Sequence, residues 1–515
     1  MIHLETGFTP YADLVDIHSF HINAALAAYD ERVMGYPRYE PSSDVFSGGS
    51  SSLAPSAVNV ISRINHTMSP VNHDTLFVIG GQQVGLMGGP LYTFLKAVSC
   101  IRLARHLSEQ WNRDVRPAFW CATEDHDILE VNRFNVGGTR YVIPHEFRMK
   151  RGHMSPVGSI SLKDYKESVI SFLNNVLIET EYTGWLLEII NKIDFSTFGT
   201  QFIHLMRQMF DSYGLIYLDP LRMQHLTAPC LGEIVEHWMD FEQALNDGSR
   251  LLGERGFDVP LPGIRLFEMT GGCRVPLDIT SRGVQLSSGT VSLKELAAEL
   301  RSNPERFSPG AALRALCQDS ALPVVATIGG PSELLYLWQI LPLYTLLGIR
   351  HSARFPRISA TFLSPSVVRA LDKLGIEWRN VFNVMKLEEE PVRTQNSSDA
   401  KLIRERGASL IQAIDNLDRK DTPRWLRTAR KSISSGVERI VDQLHEEQRA
   451  ESGLSRNRIV KVMNAILPGG RLQEREVNIL QFLNQYGPSF VSQCVDTLDP
   501  LNDAHHIARV VPVSE

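Results

Sequence analysis

The sequence predicts an α/β protein: a parallel-sheet core interrupted by an inserted α+β subdomain, followed by a helical hairpin of coiled-coil character. Short unbroken apolar runs alternate with helical periods, as they do where strands are buried on both faces of a parallel sheet. Two of these runs lead through Gly-Gly-Pro into a helix, the proline standing where a first helical residue has no N–H to lose. From about residue 388 apolar residues recur in three- and four-residue steps among charged ones, the pattern of a coiled coil.

A chain of 515 residues exceeds what one core serves, so several domains or subdomains are expected. Its 43% hydrophobic and 21% charged residues describe a folded globular protein. The formal charge of −6 offers no basic face for nucleic acid, and no apolar run is long enough to cross a membrane. The opening MIHLETGFTPYADL has neither the basic nor the apolar region of a secretory signal. Cys100, Cys121, Cys230, Cys273, Cys317 and Cys494 form no CxxC pair, which speaks against a zinc ribbon or a disulfide scaffold. A cytoplasmic protein with reduced thiols is the expectation.

Residues 1–137 form the first part of the core. They open with a helix carrying Ile17, Phe20, Ile22 and Ala25 and a loose segment over 41–55. A strand follows at Leu76–Ile79, then a loop with Gly80, Gly81, Gly85, Gly88 and Gly89. A helix starts at Pro90 and carries Phe94, Ala97, Val98, Ile101, Ala104 and Leu107. The loop is neither GxGxxG nor GxxxxGK[ST]. It is therefore either a cradle for a phosphate or carboxylate at a helix N-terminus or a tight βα turn. Gln82 and Gln83 favour the cradle, because paired amides pack poorly but donate and accept well. A second strand, Pro117–Ala122, ends in Thr123, Glu124, Asp125, His126 and Asp127, with Glu130 and Asn132 beyond. Polar clusters at the carboxyl ends of buried strands are where open α/β sheets place ligands.

Residues 138–210 read as an inserted connecting segment, β-rich to 165 and helical afterwards. The core resumes over 211–249 with a strand at Leu215–Leu218, and 250–318 is a second, α+β insertion. Core returns over 319–387 with strands at Leu322–Ile328 and Ala353–Ile358. The first of these runs into Gly329, Gly330, Pro331, Ser332 and Glu333. A helical hairpin spans 388–470, with Ile403, Leu410, Ile414 and Leu417 on one arm. Its second arm carries Leu426, Ala429, Ile433, Val437, Ile440 and Leu444, and Thr422-Pro423 forms the break. Dimerisation is its expected use, an arm for another protein the alternative. Over 471–515 an amphipathic helix, Leu472–Tyr486, returns to the core.

Four ionisable side chains in a row, Glu124 to Asp127, are costly to bury for structure alone. His126 is read as a general base whose neighbouring carboxylate fixes its tautomer and raises its pKa, or else as a locally satisfied cap. Asp125, Asp127 and Glu130 would suit Mg²⁺ beside a nucleotide such as ATP or ADP, but their spacing is not diagnostic, and neither metal nor cofactor is identified. Lys96, about two turns into its helix, either reaches back into the loop or is a solvated surface lysine. Cys121 lies in a buried strand pattern, where thiols are inert.

GGQQVGLMGGPLYTFLKA, FWCATEDHDILEVN, YGLIYLDP, IGGPSELLYLWQ and FPRIS, in this order, resemble the bacillithiol-biosynthesis family of cysteine-adding enzymes, as do the charged hairpin and LQEREVNILQFLNQYG. The resemblance covers nearly the whole chain. It implies a Rossmann-like core, a dimerising coiled coil, and the joining of L-cysteine to the amine of glucosaminyl-malate. Its matched positions are Gly81, Gln82, Gln83, Gly85, Gly89, Pro90, Tyr92 and Lys96 in the loop, with Glu124, Asp125, His126 and Asp127 as the acidic cluster. No HIGH-type or KMSKS-type motif accompanies them. On this reading Arg357 and Ser359 take the malyl carboxylates or form a structural ion pair. Glu333, after Gly330, grips an amine or partners the helix dipole, and Tyr92 and Asn132 orient substrate. Two further readings stand beside it: another Rossmann-type transferase or nucleotidyltransferase acting on a sugar or amino acid, and a non-catalytic coiled-coil scaffold.

Overall fold

The computed structural model describes residues 2–11, 14, 52–65, 70–144, 155–254, 257, 265–385, 398–416, 424–451, 456–502 and 504–512. The helix expected around 17–25, most of the 41–55 segment and the Thr422-Pro423 break lie outside them. The chain divides into two compact units. One comprises Met1–Thr361, Arg471–His506 and Pro512–Glu515; the other comprises Phe362–Gly470 and Ile507–Val511.

The first unit is built on a five-stranded sheet of β1 (Leu76–Gln83), β2 (Val115–Ala122), β3 (Ile216–Leu218), β4 (Val324–Gly329) and β5 (Ala353–Pro356). The spatial order is β5-β4-β1-β2-β3, and every pairing is parallel. The chain leaves β1 in one direction through β2 to β3, then crosses back to β4 and β5. The order therefore reverses between β1 and β4, and the crevice outside the carboxyl ends of these strands is where such sheets hold ligands. Leu76, Phe77, Val78 and Ile79 are almost wholly buried, as the unbroken apolar run requires. The strand nevertheless continues to Gln83, because Gln82 and Gln83 stay in parallel register with Cys121 and Ala122. The apolar run marks only the doubly covered part of the strand; backbone pairing carries the rest into polar residues.

Helix α1 (Leu91–Trp111) buries Leu95, Val98, Ile101 and Leu107 against this sheet and stops at Asn112, whose φ of 51° ends it in the left-handed conformation. An antiparallel hairpin of Arg133–Val136 and Thr139–Val142 straddles the expected start of the first insertion at 138 and is followed by helices Lys166–Val176, Thr183–Lys192 and Phe198–Phe210. The second insertion contains two three-stranded antiparallel sheets, one of them made of Leu266–Thr270, Cys273–Pro276 and Phe307–Pro309. Its helix Leu293–Ser302 begins in a capping box between Ser292 and Glu295. Leu266, Phe307, Leu296 and Leu300 share one apolar core with Leu313 and Leu316 of helix α2 (Ala311–Ala321). Helix α3 (Pro331–Gln339) follows β4. The C-terminal return is not one helix but three short ones, Gln473–Glu476, Ile479–Tyr486 and Ser489–Thr497.

In the second unit α4 (Ser398–Asp415) and α5 (Arg424–Glu451) lie antiparallel, with Arg404 paired to Glu438 at 3.4 Å and Asp415 to Arg430 at 3.3 Å. Gly407 lets them close: a Cβ there would stand 2.5 Å from Val437 Cγ2. The seam differs in part from the expected one. Val441 is fully buried, whereas Ile440 and Leu410 remain about half exposed.

Candidate functional site

Where β1 outruns its apolar stretch, three successive residues turn polar contacts toward the crevice. Gly81 approaches Trp120 of β2 so closely that a Cβ would lie 2.9 Å from the Trp120 Cβ, and its carbonyl accepts from Lys96 Nζ at 2.5 Å. Gln82 Oε1 accepts from the same ammonium at 3.0 Å. Gln83 Nε2 donates to Asp125 Oδ2 at 3.1 Å. Lys96 is thus no surface lysine. Its side chain is 1% exposed and completes its bonds on Glu333 Oε2 at 2.6 Å. Burial pulls the ammonium below the usual lysine range against the attraction of Glu333. For Glu333 burial acts upward, but the Lys96 charge and the Gly330 amide, which donates to Oε2 at 2.6 Å, hold the carboxyl below its ordinary value. One ion pair therefore ties the start of α3 to the end of β1.

At the end of β2 the backbone turns and the acidic cluster fans out. Burial raises the Glu124 carboxyl above the usual range despite Arg314 and Arg274 nearby, and its Oε2 has no hydrogen-bond partner among the described residues. Asp125 also loses solvent, yet Arg274, Arg314, the His126 amide and Gln83 together outweigh burial and keep it ionised below its ordinary value. Arg274, from the second insertion, donates through Nη1 to His126 Nδ1 at 2.9 Å and stacks on Phe267 with its guanidinium carbon 3.9 Å from the ring centre. A guanidinium only donates, so Nδ1 must be the acceptor and the imidazole proton sits on Nε2. Burial and the Arg274 charge also lower the His126 pKa, outweighing Asp125 and Asp127. The expected upward shift is thereby corrected: the sequence shows the carboxylates beside His126 but not the arginine that the fold brings to its ring. With Nδ1 engaged by the guanidinium, Nε2–H is the ring group left to meet a ligand.

A cavity opens beside these groups, bounded by Gly81 and Trp120 on the sheet, Glu333 and Tyr336 of α3, and Arg314 of α2. It encloses about 460 Å³ of space outside the atoms, mouth included. Arg314 stands within electrostatic reach of Glu124, Asp125 and Glu333, linking both ends of the constellation.

A family model described as the N-terminal Rossmann-like domain of the bacillithiol-biosynthesis protein BshC matches residues 55–358, and one for its C-terminal coiled-coil domain matches 360–510. The chain belongs to the BshC family. Relatives curated as "Putative cysteine ligase BshC" are similar over 465 residues, 85% of this chain and 85% of theirs. Those of Bacillus cereus ATCC 10987 and Bacillus thuringiensis Al Hakam are 28% identical to it, that of Bacillus cereus AH187 29%.

Not every residue expected at a BshC site gathers there. Gly85 and Gly89 serve the turn: a Cβ on Gly85 would stand 2.9 Å from Gly89 Cα, and Gly89 has a φ of 71°. The turn is clamped from outside the loop. Gln201 Oε1 accepts from Met87 N, and Asn478 donates to the carbonyls of Met87 and Gly89. The amide of Leu91, first in α1, donates to Val477 O at 2.8 Å, so the helix start after Pro90 is capped by protein. The anion-cradle reading of Gly85 to Pro90 gives way to the tight turn, while Gly81 to Gln83 face the crevice. Arg357 and Ser359 both bond Glu474, at 2.5 and 2.9 Å, and Tyr92 lies under the Arg357 guanidinium. These three form the structural ion-pair network. Asn132 is buried and donates to Ile143 O at 3.4 Å. Asp127 lies beside His126 at the N-terminus of a single helical turn, Ile128–Val131. Among the described residues no three His, Cys, Asp or Glu side chains converge as a metal site, and burial pushes the Cys121 thiol well above its ordinary value. Arg274 and Arg314 escaped the sequence reading. Arg274 lies in an insertion far along the chain, and the only signal for Arg314 was a charge within the apolar helix AALRALC.

Proposed function

We propose that this BshC-family chain is a cysteine ligase that joins the carboxyl of L-cysteine to the amine of glucosaminyl-malate as an amide. The observation that carries the reading is the polar constellation running from Glu333 through Lys96, Gln82 and Gln83 to Asp125, His126 and Arg274 at the strand-order reversal. Amide formation needs a carboxyl already activated and a site that keeps water from competing with the amine. Asp125, held ionised, orients the incoming ammonium. Glu124, whose carboxyl is made more basic by burial, takes the proton the amine must lose before it attacks. The amine nitrogen then bonds the carboxyl carbon, and the activating group leaves with the electron pair of its bond. His126 Nε2–H donates to the carbonyl oxygen while it carries negative charge, which suits a neutral imidazole better than a base. Lys96 and Glu333 hold β1 and α3 at fixed spacing around the reacting groups.

Homodimerisation through the helical hairpin belongs to the same reading, with the half-exposed Leu410 and Ile440 and the exposed Trp425 as contact candidates. Purified protein incubated with glucosaminyl-malate and L-cysteine, with and without ATP, should yield the cysteinyl amide by mass spectrometry. Absence of that product under both conditions would overturn the ligase reading. Sedimentation should give a dimer at micromolar concentration; a monomer removes the hairpin's proposed role.

A further inference from the structure

Arg354 of β5 stands apart from the other charged groups of the sheet. Each of its three guanidinium nitrogens is shut off from solvent, and none has a hydrogen-bond partner among the described residues. An isolated buried cation of this kind is expensive, and folded proteins keep one mainly where a ligand completes it. Thr327, its register neighbour on β4, projects from the same face of the sheet. The groups whose charges act on Arg354 are Tyr344, Asp319 and Tyr336, and all three, like Thr327, line the cavity beside the site. None of them satisfies it. Asp319 Oδ2 is taken up by the Ser352 amide and hydroxyl and by Tyr344 OH, at 3.1, 2.9 and 3.0 Å. Tyr344 offers its ring, 5.6 Å from the guanidinium carbon. Tyr336 is also within electrostatic reach of Arg314, so one arginine lines the cavity and a second stands behind the residues of its wall.

We propose that the side of the cavity formed by Thr327, Tyr336 and Tyr344 is a carboxylate subsite, in which the Arg354 guanidinium behind them, aided by Tyr336, binds a carboxylate of the acceptor substrate that does not react. A planar fork matches a carboxylate with two parallel N–H bonds. Arg354 pairs with Thr327, two residues short of the end of β4, so the bound group lies deeper than the reacting one. In the ligase reading cysteine's carboxyl is consumed, which leaves the malyl group as the source; that identity rests on the reading above, whereas the anion site does not.

L-Malate itself is the probe, titrated calorimetrically into wild type, Arg354→Met and Arg354→Lys, with thermal melts of each. Wild type should bind L-malate, Arg354→Met should weaken it at least about tenfold, and Arg354→Lys should fall between. Ligand-free Arg354→Met should melt no lower than wild type, since it removes a buried charge that no protein hydrogen bond satisfies. A lower melting temperature with malate affinity unchanged would make Arg354 structural and overturn the subsite. So would inorganic phosphate or L-alanine showing the Arg354 dependence in place of malate, which would assign the wall to a phosphoryl group or to the amino-acid substrate. Arg354-dependent malate binding in a protein that forms no amide would fail the ligase reading and leave the subsite standing.

Discussion

Arg357 and Arg274 are both buried guanidiniums in the first unit, each beside a carboxylate and a histidine, yet their surroundings differ. Around Glu474, the Arg357 Nη2, the Ser359 hydroxyl and the Ala360 amide converge on one carboxylate, and His505 takes the Ser359 and Thr361 hydroxyls on its two nitrogens. The Glu474 carboxyl is held at about 2, although burial acts upward, by the Arg357 charge and hydrogen bond. Around Asp125 and His126, by contrast, Arg274 Nε and Glu124 Oε2 have no partner among the described residues, and burial leaves Glu124 more basic than an ordinary glutamate. The first cluster is closed and the second open. A closed network fixes structure, whereas buried polar atoms that no protein group satisfies leave room for a partner that is not protein.

The largest expected effect falls on the closed cluster. Arg357→Met leaves Glu474 buried without its charge partner and should cost about 3–5 kcal/mol in urea unfolding. Glu124→Gln in the open cluster should leave stability nearly unchanged and remove ligase activity, because it deletes a proton acceptor rather than half of an ion pair. Equal losses of stability at the two positions would break the comparison.

Second in size is the catalytic effect of the neutral histidine. His126→Ala should lower kcat by about 10²–10³, the loss typical of one transition-state hydrogen-bond donor. Arg274→Met should act through the ring. Without the guanidinium Nδ1 loses its donor and His126 titrates higher, so the acid limb of the kcat profile should move toward higher pH. Arg274→Lys should restore the wild-type position in part. An acid limb that stays in place in Arg274→Met would detach Arg274 from the histidine.

The opposite fates of the two clusters were legible only in part from the sequence. Local grammar placed β1, the acidic cluster after β2 and the second Gly-Gly-Pro turn, because apolar runs and turn residues act over a few positions. It also paired Gln83 with the Glu124–Asp127 stretch in one site. It left Arg357 and Ser359 open between substrate and structure, because the deciding partner, Glu474, lies 117 positions from Arg357. Arg274 reaches His126 across 148 positions, from an insertion whose placement no local pattern encodes. Lys96 is the instructive middle case. Its helix position was readable, but its burial depended on Glu333, 237 residues later. The expected phosphate cradle at Pro90 gave way for the same reason, since the amide of Leu91 is capped by Val477.

A third test uses pH. Burial lowers His505 to about 4, below the roughly 6.5 of an unfolded histidine, and Glu474 sits at about 2 against roughly 4.3 unfolded. Both folded values are depressed, so both contributions are complete above the unfolded pKa and are lost as pH falls. That of His505 fades from about 6.5 toward 4, that of Glu474 from about 4.3 toward 2. Since one pKa unit corresponds to about 1.4 kcal/mol, each contribution amounts to roughly 3 kcal/mol. Denaturation free energy should therefore begin to drop below about pH 6.5, and flat stability between about pH 7 and 5 would mean that His505 is not held neutral.

The smallest effect belongs to the second unit, where the charges are exposed rather than buried. Arg404 and Glu438 bridge α4 and α5 at 3.4 Å with both side chains about half in solvent. Water and salt screen such a pair, so a double-mutant cycle of Arg404→Ala and Glu438→Ala should return only about 0.2–1 kcal/mol and shrink as salt is added. The helices are held together instead at Gly407, where Val437 leaves no room for a Cβ. Gly407→Ala should separate the arms and cost more than the ion pair, even though alanine is the better helix former by about 1 kcal/mol. If Gly407→Ala proved stabilising, intrinsic propensity would outweigh packing in this hairpin, and the close approach of its two helices would contribute nothing to holding it together.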